Sequence, residues 1–241
     1  MKNIFLLLFT GVLSFSCSDD DSADKAQKVA LATKITTGNG NGTPIIYDFI
    51  YDNDRRIQSF IKTDGNLKTD VSYEYDENHL VTAFTLKRSV SQVRYVFKYN
   101  DKILQSITVD DEVVHVSYDP ANRMYTFLGN NYTFADNGDL AKVNAVSVLF
   151  AADKKGVFNA VGGSNFQLVN QFTDYVLSQN LFQTIGSKLA VVNTSRLVNN
   201  QTEITSETTA DYDAAGYPTH VEITQPNGNL TMKADVVYTA Q

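Results

Sequence analysis

The chain has 241 residues, a formal charge of −7, 43% hydrophobic residues and one cysteine, with 13 Tyr, 14 Phe and no Trp. That length suits one β-type domain or two small ones, and it can bury a sizeable core without disulfides. The acidic balance argues against a nucleic-acid partner, whose phosphates demand a basic face, and against electrostatic attachment to anionic lipid.

In chain order, the first element is a secretory signal over residues 1–16: Lys2, an apolar run over 4–15 and the small residue Ser16. The run falls short of the ~20 residues that span a bilayer as a helix, so the segment reads as an export signal. Because Cys17 sits at the cleavage point, it resembles a bacterial lipoprotein signal, although Ser14 stands where such signals usually carry Leu. The resemblance implies that the Cys17 thiol receives a diacylglycerol and becomes the mature N-terminus. A plain secreted chain is the alternative, but it would carry an unpaired thiol into an oxidising compartment. Several acyl chains, at ~0.8 kcal/mol per buried methylene, hold a protein on a membrane.

Residues 17–27 form an acidic tether of a composition that stays solvated. Ser18, Asp19, Asp20 and Asp21 also resemble the signal that sends Bacteroidota lipoproteins to the outer face of the outer membrane, the periplasmic face being the alternative. Asp21-Ser22-Ala23 resembles the short O-glycosylation motif of the same bacteria, which makes Ser22 its acceptor. Behind a bacterial signal, the Asn-x-Ser/Thr triplets at Asn41, Asn131, Asn193, Asn200 and Asn229 carry no glycosylation.

Residues 28–241 read as a single β-repeat domain. A ten-residue unit opens on an aromatic residue, usually followed by Asp, and closes on an apolar one, at 51–60 (YDNDRRIQSF), 75–84 (YDENHLVTAF), 118–127 (YDPANRMYTF), 134–143 (FADNGDLAKV) and 212–221 (YDAAGYPTHV). Residues 99–107 (YNDKILQSI) fit with one deletion. Turn chemistry explains the unit: the aromatic ends a strand, Asp or Asn bonds forward to backbone amides, and position five takes a left-handed conformation. Gly138, Gly216 and Asn122 suit that position and His79 tolerates it, whereas Arg55 fits poorly and predicts a different first turn.

Between turns the residues alternate with period two: Ile45, Tyr47, Phe49 and Tyr51 oppose Asp48; Val71, Tyr73 and Tyr75 oppose Ser72 and Glu74. Likewise Val93, Tyr95, Phe97 and Tyr99 oppose Arg94 and Lys98, and Val221 and Ile223 oppose His220, Glu222 and Thr224. The predicted fold is all-β, an antiparallel meander forming a curved or closed barrel-like sheet. One amphipathic helix over about 164–183 interrupts it, capped by Ser164 or Asn165, ended near Gly186, and plugging or covering the apolar face.

The repeat units resemble the tyrosine-aspartate repeats of bacterial surface and toxin-encapsulating proteins. The order of lipoprotein signal, repeats, residues 150–158 (FAADKKGVF), helix, Asn199-Asn200 and last repeat is similar to a Bacteroidota outer-membrane lipoprotein family of unknown function with a porin-like β-fold. Val157 replaces the usual proline of the pre-helix stretch. The resemblance implies a barrel-like sheet and transfers no catalytic residue and no cofactor.

The chemistry-bearing residues are sparse. His79, His115 and His220 have no second His, Cys or Glu at metal-ligand spacing and read as turn or sheet-surface residues. Asp52-Asn53-Asp54 starts like a calcium loop without its glycine or distal glutamate. Asp110, Asp111 and Glu112 supply carboxylates for glycoside hydrolysis only if they sit across a cleft, ~5–10 Å apart. The leading reading is therefore a non-enzymatic, lipid-anchored outer-membrane module that binds a glycan or an envelope protein. A carrier of an apolar ligand inside the barrel is the alternative, and a hydrolase or a spanning porin ranks lower.

Overall fold

The computed structural model describes residues 29–38, 42–163 and 165–240. The signal, Cys17, Ser18, Asp19, Asp20, Asp21, Ser22 and the capping candidate Ser164 lie outside the described residues. Seventeen strands form one antiparallel sheet. The first half comprises β1 (Ala30–Gly38), β2 (Ile45–Tyr51), β3 (Ile57–Asp64), β4 (Leu67–Tyr75), β5 (Val81–Arg88), β6 (Ser91–Asn100), β7 (Ile103–Val109), β8 (Glu112–His115) and β9 (Ser117–Asp119). The second comprises β10 (Met124–Phe127), β11 (Asn130–Phe134), β12 (Leu140–Val143), β13 (Val146–Lys155), β14 (Leu189–Val198), β15 (Gln201–Tyr212), β16 (Pro218–Thr224) and β17 (Leu230–Ala240).

Neighbours in sequence pair along the meander, and β17 pairs back onto β1 from Ala30↔Ala240 to Gly38↔Lys233, closing the sheet into a barrel. β8 and β9 are two pieces of one stave separated by Val116, whose amide still donates to the Gln105 carbonyl at 2.9 Å. The barrel is nearly closed: among the described residues only the short β8, paired with β7 alone, and β9, paired with β10 alone, lack a second partner strand, which leaves little edge to template association with other chains.

In the units at 75–84 and 212–221 the Asp organises the turn as the unit predicts. Asp76 Oδ1 accepts the amides of Asn78 (2.9 Å) and Leu80 (2.8 Å), and Asp213 Oδ1 those of Ala215 (2.9 Å) and Tyr217 (2.8 Å). The first turn is not different: Asp52 Oδ1 accepts the amides of Asp54 and Arg56, and Arg55 adopts φ 62° beside His79 at 61°, Gly138 at 85° and Gly216 at 79°. Arg55 takes the left-handed position because the Arg56 side chain, 2.7 Å from Asp52 Oδ2, closes the same loop. In the third unit the left-handed residue is Arg123 (φ 48°), one place after Asn122, and Asp119 bonds the amides of Ala121 and Asn122 instead of reaching position six as the other Asp residues do. The shortened unit at 99–107 turns on Asp101 and Lys102, both at positive φ, as a two-residue hairpin.

The period-two faces are as read. Tyr47, Phe49, Val71, Tyr73, Phe97, Val221 and Ile223 are buried, while Asp48, Glu74, Arg94 and Lys98 are exposed on the outer face. A membrane-spanning barrel needs an apolar outer band, so these outward charges oppose the spanning-porin reading.

The predicted helix is two: α1 (Phe166–Val176) and α2 (Leu181–Ile185), broken at Leu177–Asn180 where Ser178 has φ 49°. Asn165 holds the N-cap position without capping; its Oδ1 accepts the Val81 amide (3.2 Å) and its Nδ2 donates to Tyr99 Oη (2.6 Å), tying the helix start to the wall. Gly186 ends α2 as predicted. Nor does α1 cover an open face, since every residue from Phe166 to Asp174 is buried: the helix is the plug of the barrel.

The aromatic side chains of α1, of α2 and of the segment leading into them from β13 meet those of the wall. Phe182 packs on Phe60 at 5.8 Å and 66°, Phe158 on Phe49 at 5.4 Å and 75°, and Phe172 on Phe97 at 6.0 Å and 84°, the edge-to-face arrangement that aromatic quadrupoles favour. Each such ring contributes roughly 1.5–3 kcal/mol by leaving water. The space that an apolar cargo would need is thereby filled with side chains.

Candidate functional site

The two ends of the barrel differ. At one end lie the repeat turns, and the chain leaving β13 packs across them, with Lys155 Nζ donating to Ala215 O (2.9 Å) and Gly162 N to Arg55 O (2.9 Å). β1 starts at this end, where Ala32 O accepts from Tyr51 Oη at 2.7 Å. At the other end lie the short hairpins, such as Asp110-Asp111 and Asn199-Asn200, all four residues at positive φ. α1 runs from the first end to the second, so the α1–α2 turn is the floor of an open mouth.

Three recesses of about 960, 480 and 330 Å³ surround that turn and share Ser178. The largest is lined by side chains of α1, the turn and α2, among them Gln171, Asp174, Tyr175, Gln179 and Gln183, and by β11–β14, including Tyr132 and Arg196. The β14–β15 hairpin, with Leu197 and Ile204 exposed, forms one rim.

Asp174 is the electrostatic centre of the mouth. It is 3% exposed, and its oxygens accept from Gln179 Nε2 (3.1 Å) and the Gln183 amide (2.8 Å). Loss of water around the carboxyl pushes its pKa up to about 8, against the opposing pull of those donors and of Lys62. Gln179 continues the network, its Oε1 accepting from Tyr47 Oη at 3.1 Å. Burial in turn lowers the pKa of Lys62 and raises that of Tyr47. One turn earlier, Tyr73 Oη donates to Asn170 Oδ1 at 3.0 Å, whereas Gln171, 3% exposed, has an Nε2 with no partner.

None of the sequence-predicted chemistry converges here. Asp110, Asp111 and Glu112 are exposed in a hairpin at the rim, not set across a cleft. His79 lies in a repeat turn 2.9 Å from Arg56, His115 ends β8, and His220 lies on the outer sheet surface 2.6 Å from Asp235, whose carboxylate holds the imidazole pKa above its ordinary value. Asp52 is engaged with its turn amides and Arg56, and among the described residues no group of three His, Cys, Asp or Glu side chains is placed to hold a metal. Sequence reasoning missed Asp174, Gln171 and Gln179. The available signal was a polar stripe, Gln167, Asn170, Gln171 and Asp174 at helical spacing opposite a Phe-rich face, which reads as a solvated face until the barrel buries it with the rest of the helix.

Comparison with known proteins agrees with the repeat. A porin-like protein from Bacteroides uniformis is 13% identical over 87% of this chain and 98% of its own, with a TM-score of 0.47. One from Bacteroides vulgatus is 14% identical over 88% of this chain and 99% of its own, with a TM-score of 0.43. No functionally curated protein matches. The sequence model of the Teneurin YD-shell matches residues 22–173, more than half of the chain and all of the first five tyrosine-aspartate-type units. With four of those five turns built on Asp or Asn side chains around a nearly closed shell, the chain belongs to the Teneurin YD-shell family.

Proposed function

We propose that this protein is a non-enzymatic, lipid-anchored module of a bacterial outer membrane, and that the open mouth of its barrel binds a glycan or an envelope protein. The observation that carries the reading is the placement of the mouth relative to the chain start. Cys17 precedes β1, which starts at the repeat-turn end, so an anchor on Cys17 leaves the mouth facing away from the bilayer. The packed interior and the recess of about 960 Å³ direct a partner to that end. The acidic stretch from Ser18 to Asp21 supports export to the outer face, and Ser22 is its modification site.

The test is expression of the full chain and a Cys17→Ala variant in a Bacteroidota host, with mass spectrometry of residue 17 and protease shaving of intact cells. A diacylglyceryl mass on Cys17 and a shaved domain support the reading. An unmodified, secreted product overturns it.

A further inference from the structure

The mouth carries a more specific chemistry. Resting on the reading that this end is the binding face, we propose that the recess takes an uncharged oligosaccharide, with Tyr175 as the stacking platform and the Gln171, Gln179 and Gln183 side chains as hydrogen-bonding partners.

Four observations carry this. First, Gln171 is 3% exposed and lines the recess, yet its Nε2 has no partner, a buried donor that a ligand oxygen would complete. Second, neither charged group of the lining is free: Arg196 Nε is 2.8 Å from Glu203 Oε2, and both Asp174 oxygens accept donors inside the protein. A phosphate, sulfate or uronate would find no unpaired cation there.

Third, the remaining polar lining consists largely of carboxamides, which donate and accept from one group as sugar hydroxyls do. Fourth, Tyr175 is 55% exposed at the recess while its ring lies 6.4 Å from that of Phe172 at 30°, so an open aromatic face is held in a fixed orientation. A ring face beside convergent amides fits a pyranose, apolar on one face and polar at its edge. A volume of about 960 Å³ lies at the upper end of the range of small-molecule sites.

The test uses the mature chain purified in detergent, probed with a glycan array of neutral and acidic oligosaccharides and then by calorimetry with the best neutral binder. The expected result is binding of a neutral oligosaccharide that Tyr175→Ala weakens at least about tenfold and Gln171→Leu also weakens. Gln171 is buried and its replacement risks the fold, so Gln183→Ala, exposed on α2 in the same recess, is the companion variant, with circular dichroism confirming that each protein is folded. Selective binding of acidic glycans, neutral binding unaffected by Tyr175→Ala and Gln183→Ala, or no glycan binding at all overturns the inference. In the last case, crosslinking of an envelope protein to the mouth on cells leaves the broader function standing, whereas a chain neither anchored nor shaved removes that function independently of any glycan result.

Discussion

Tyr75 Oη donates to the carbonyl of Ile57 at 2.8 Å, so the tyrosine that opens one repeat locks the strand that follows the turn of the repeat before it. Tyr99 does the same to Val81 (2.7 Å), Tyr51 to Ala32 (2.7 Å) and Tyr238 to Pro218 (3.1 Å), always 18–20 residues back. In the first three units, at Tyr51, Tyr75 and Tyr99, the aromatic is therefore more than a strand terminator: its hydroxyl satisfies a carbonyl of the neighbouring strand at the repeat-turn end, and its ring packs against the core.

Tyr75→Phe keeps the ring and removes the donor, and should cost about 1 kcal/mol, read as a lower urea midpoint with an unchanged slope. Tyr99→Phe should cost more, because Tyr99 Oη also accepts from Asn165 Nδ2 and so couples wall to plug. Tyr99→Phe and Asn165→Ala should combine non-additively in a double-mutant cycle.

Gly156 sits where the chain leaves β13 for the interior, and a Cβ there would collide with Ser187 O and lie 2.6 Å from Leu189 O, both backbone. Gly156→Ala should cost about 3 kcal/mol or more, since neither backbone atom can move without the plug moving. Gly216→Ala, at φ 79° with open space around it, should cost only about 1 kcal/mol of backbone strain. Thermal unfolding of the two variants side by side checks the ordering.

Asp139 is wholly buried between the wall and the segment after α2, its carboxylate accepting from Lys188 N (2.7 Å), Leu189 N (3.1 Å) and Asn137 Nδ2 (2.9 Å). Asp139→Ala leaves these donors without a partner and should destabilise by roughly 3 kcal/mol or more, with faster hydrogen exchange at Lys188 and Leu189.

Asp174 sets a pH dependence of stability. Its carboxyl holds a proton up to about pH 8 in the folded protein and only to about pH 4 in the unfolded chain. Its contribution is therefore fully present below the unfolded value and is lost as pH rises through the folded one. The groups facing it are Lys62 and Tyr47 from the wall, Tyr73 and Tyr132 beyond them, and Gln179 and Gln183 from the plug. Urea midpoints should therefore fall between about pH 4 and 8, and Asp174→Asn should flatten the fall.

Much of the shell is legible in the residues, because its turns and faces are local. The Asp of a repeat reaches amides two and four residues ahead, and period-two alternation needs no knowledge of the partner strand. The closure of β17 onto β1 and the burial of α1 are not local, and the Phe spacing of 164–183 serves a one-sided cover as well as a plug. The break at Ser178 was hidden for the same reason: no Gly or Pro marks it, and the turn is held by Gln179 N donating to Asp174 O at 2.9 Å. The mouth was the least legible part, since Asp174, Gln171 and Gln179 become a group only when the barrel surrounds them. Arg55 shows the converse, a residue poorly suited to its turn and held there by the Asp52 network.

The central claim is that the mouth faces the medium while the repeat-turn end faces the membrane. Because Cys17 is the only cysteine in the chain and acylation would block it, Tyr175→Cys creates a single reactive thiol at the mouth. Labelling intact Bacteroidota cells with a membrane-impermeant maleimide measures the claim directly. The account predicts labelling of Tyr175→Cys before any permeabilisation; labelling that appears only after the outer membrane is opened would contradict it.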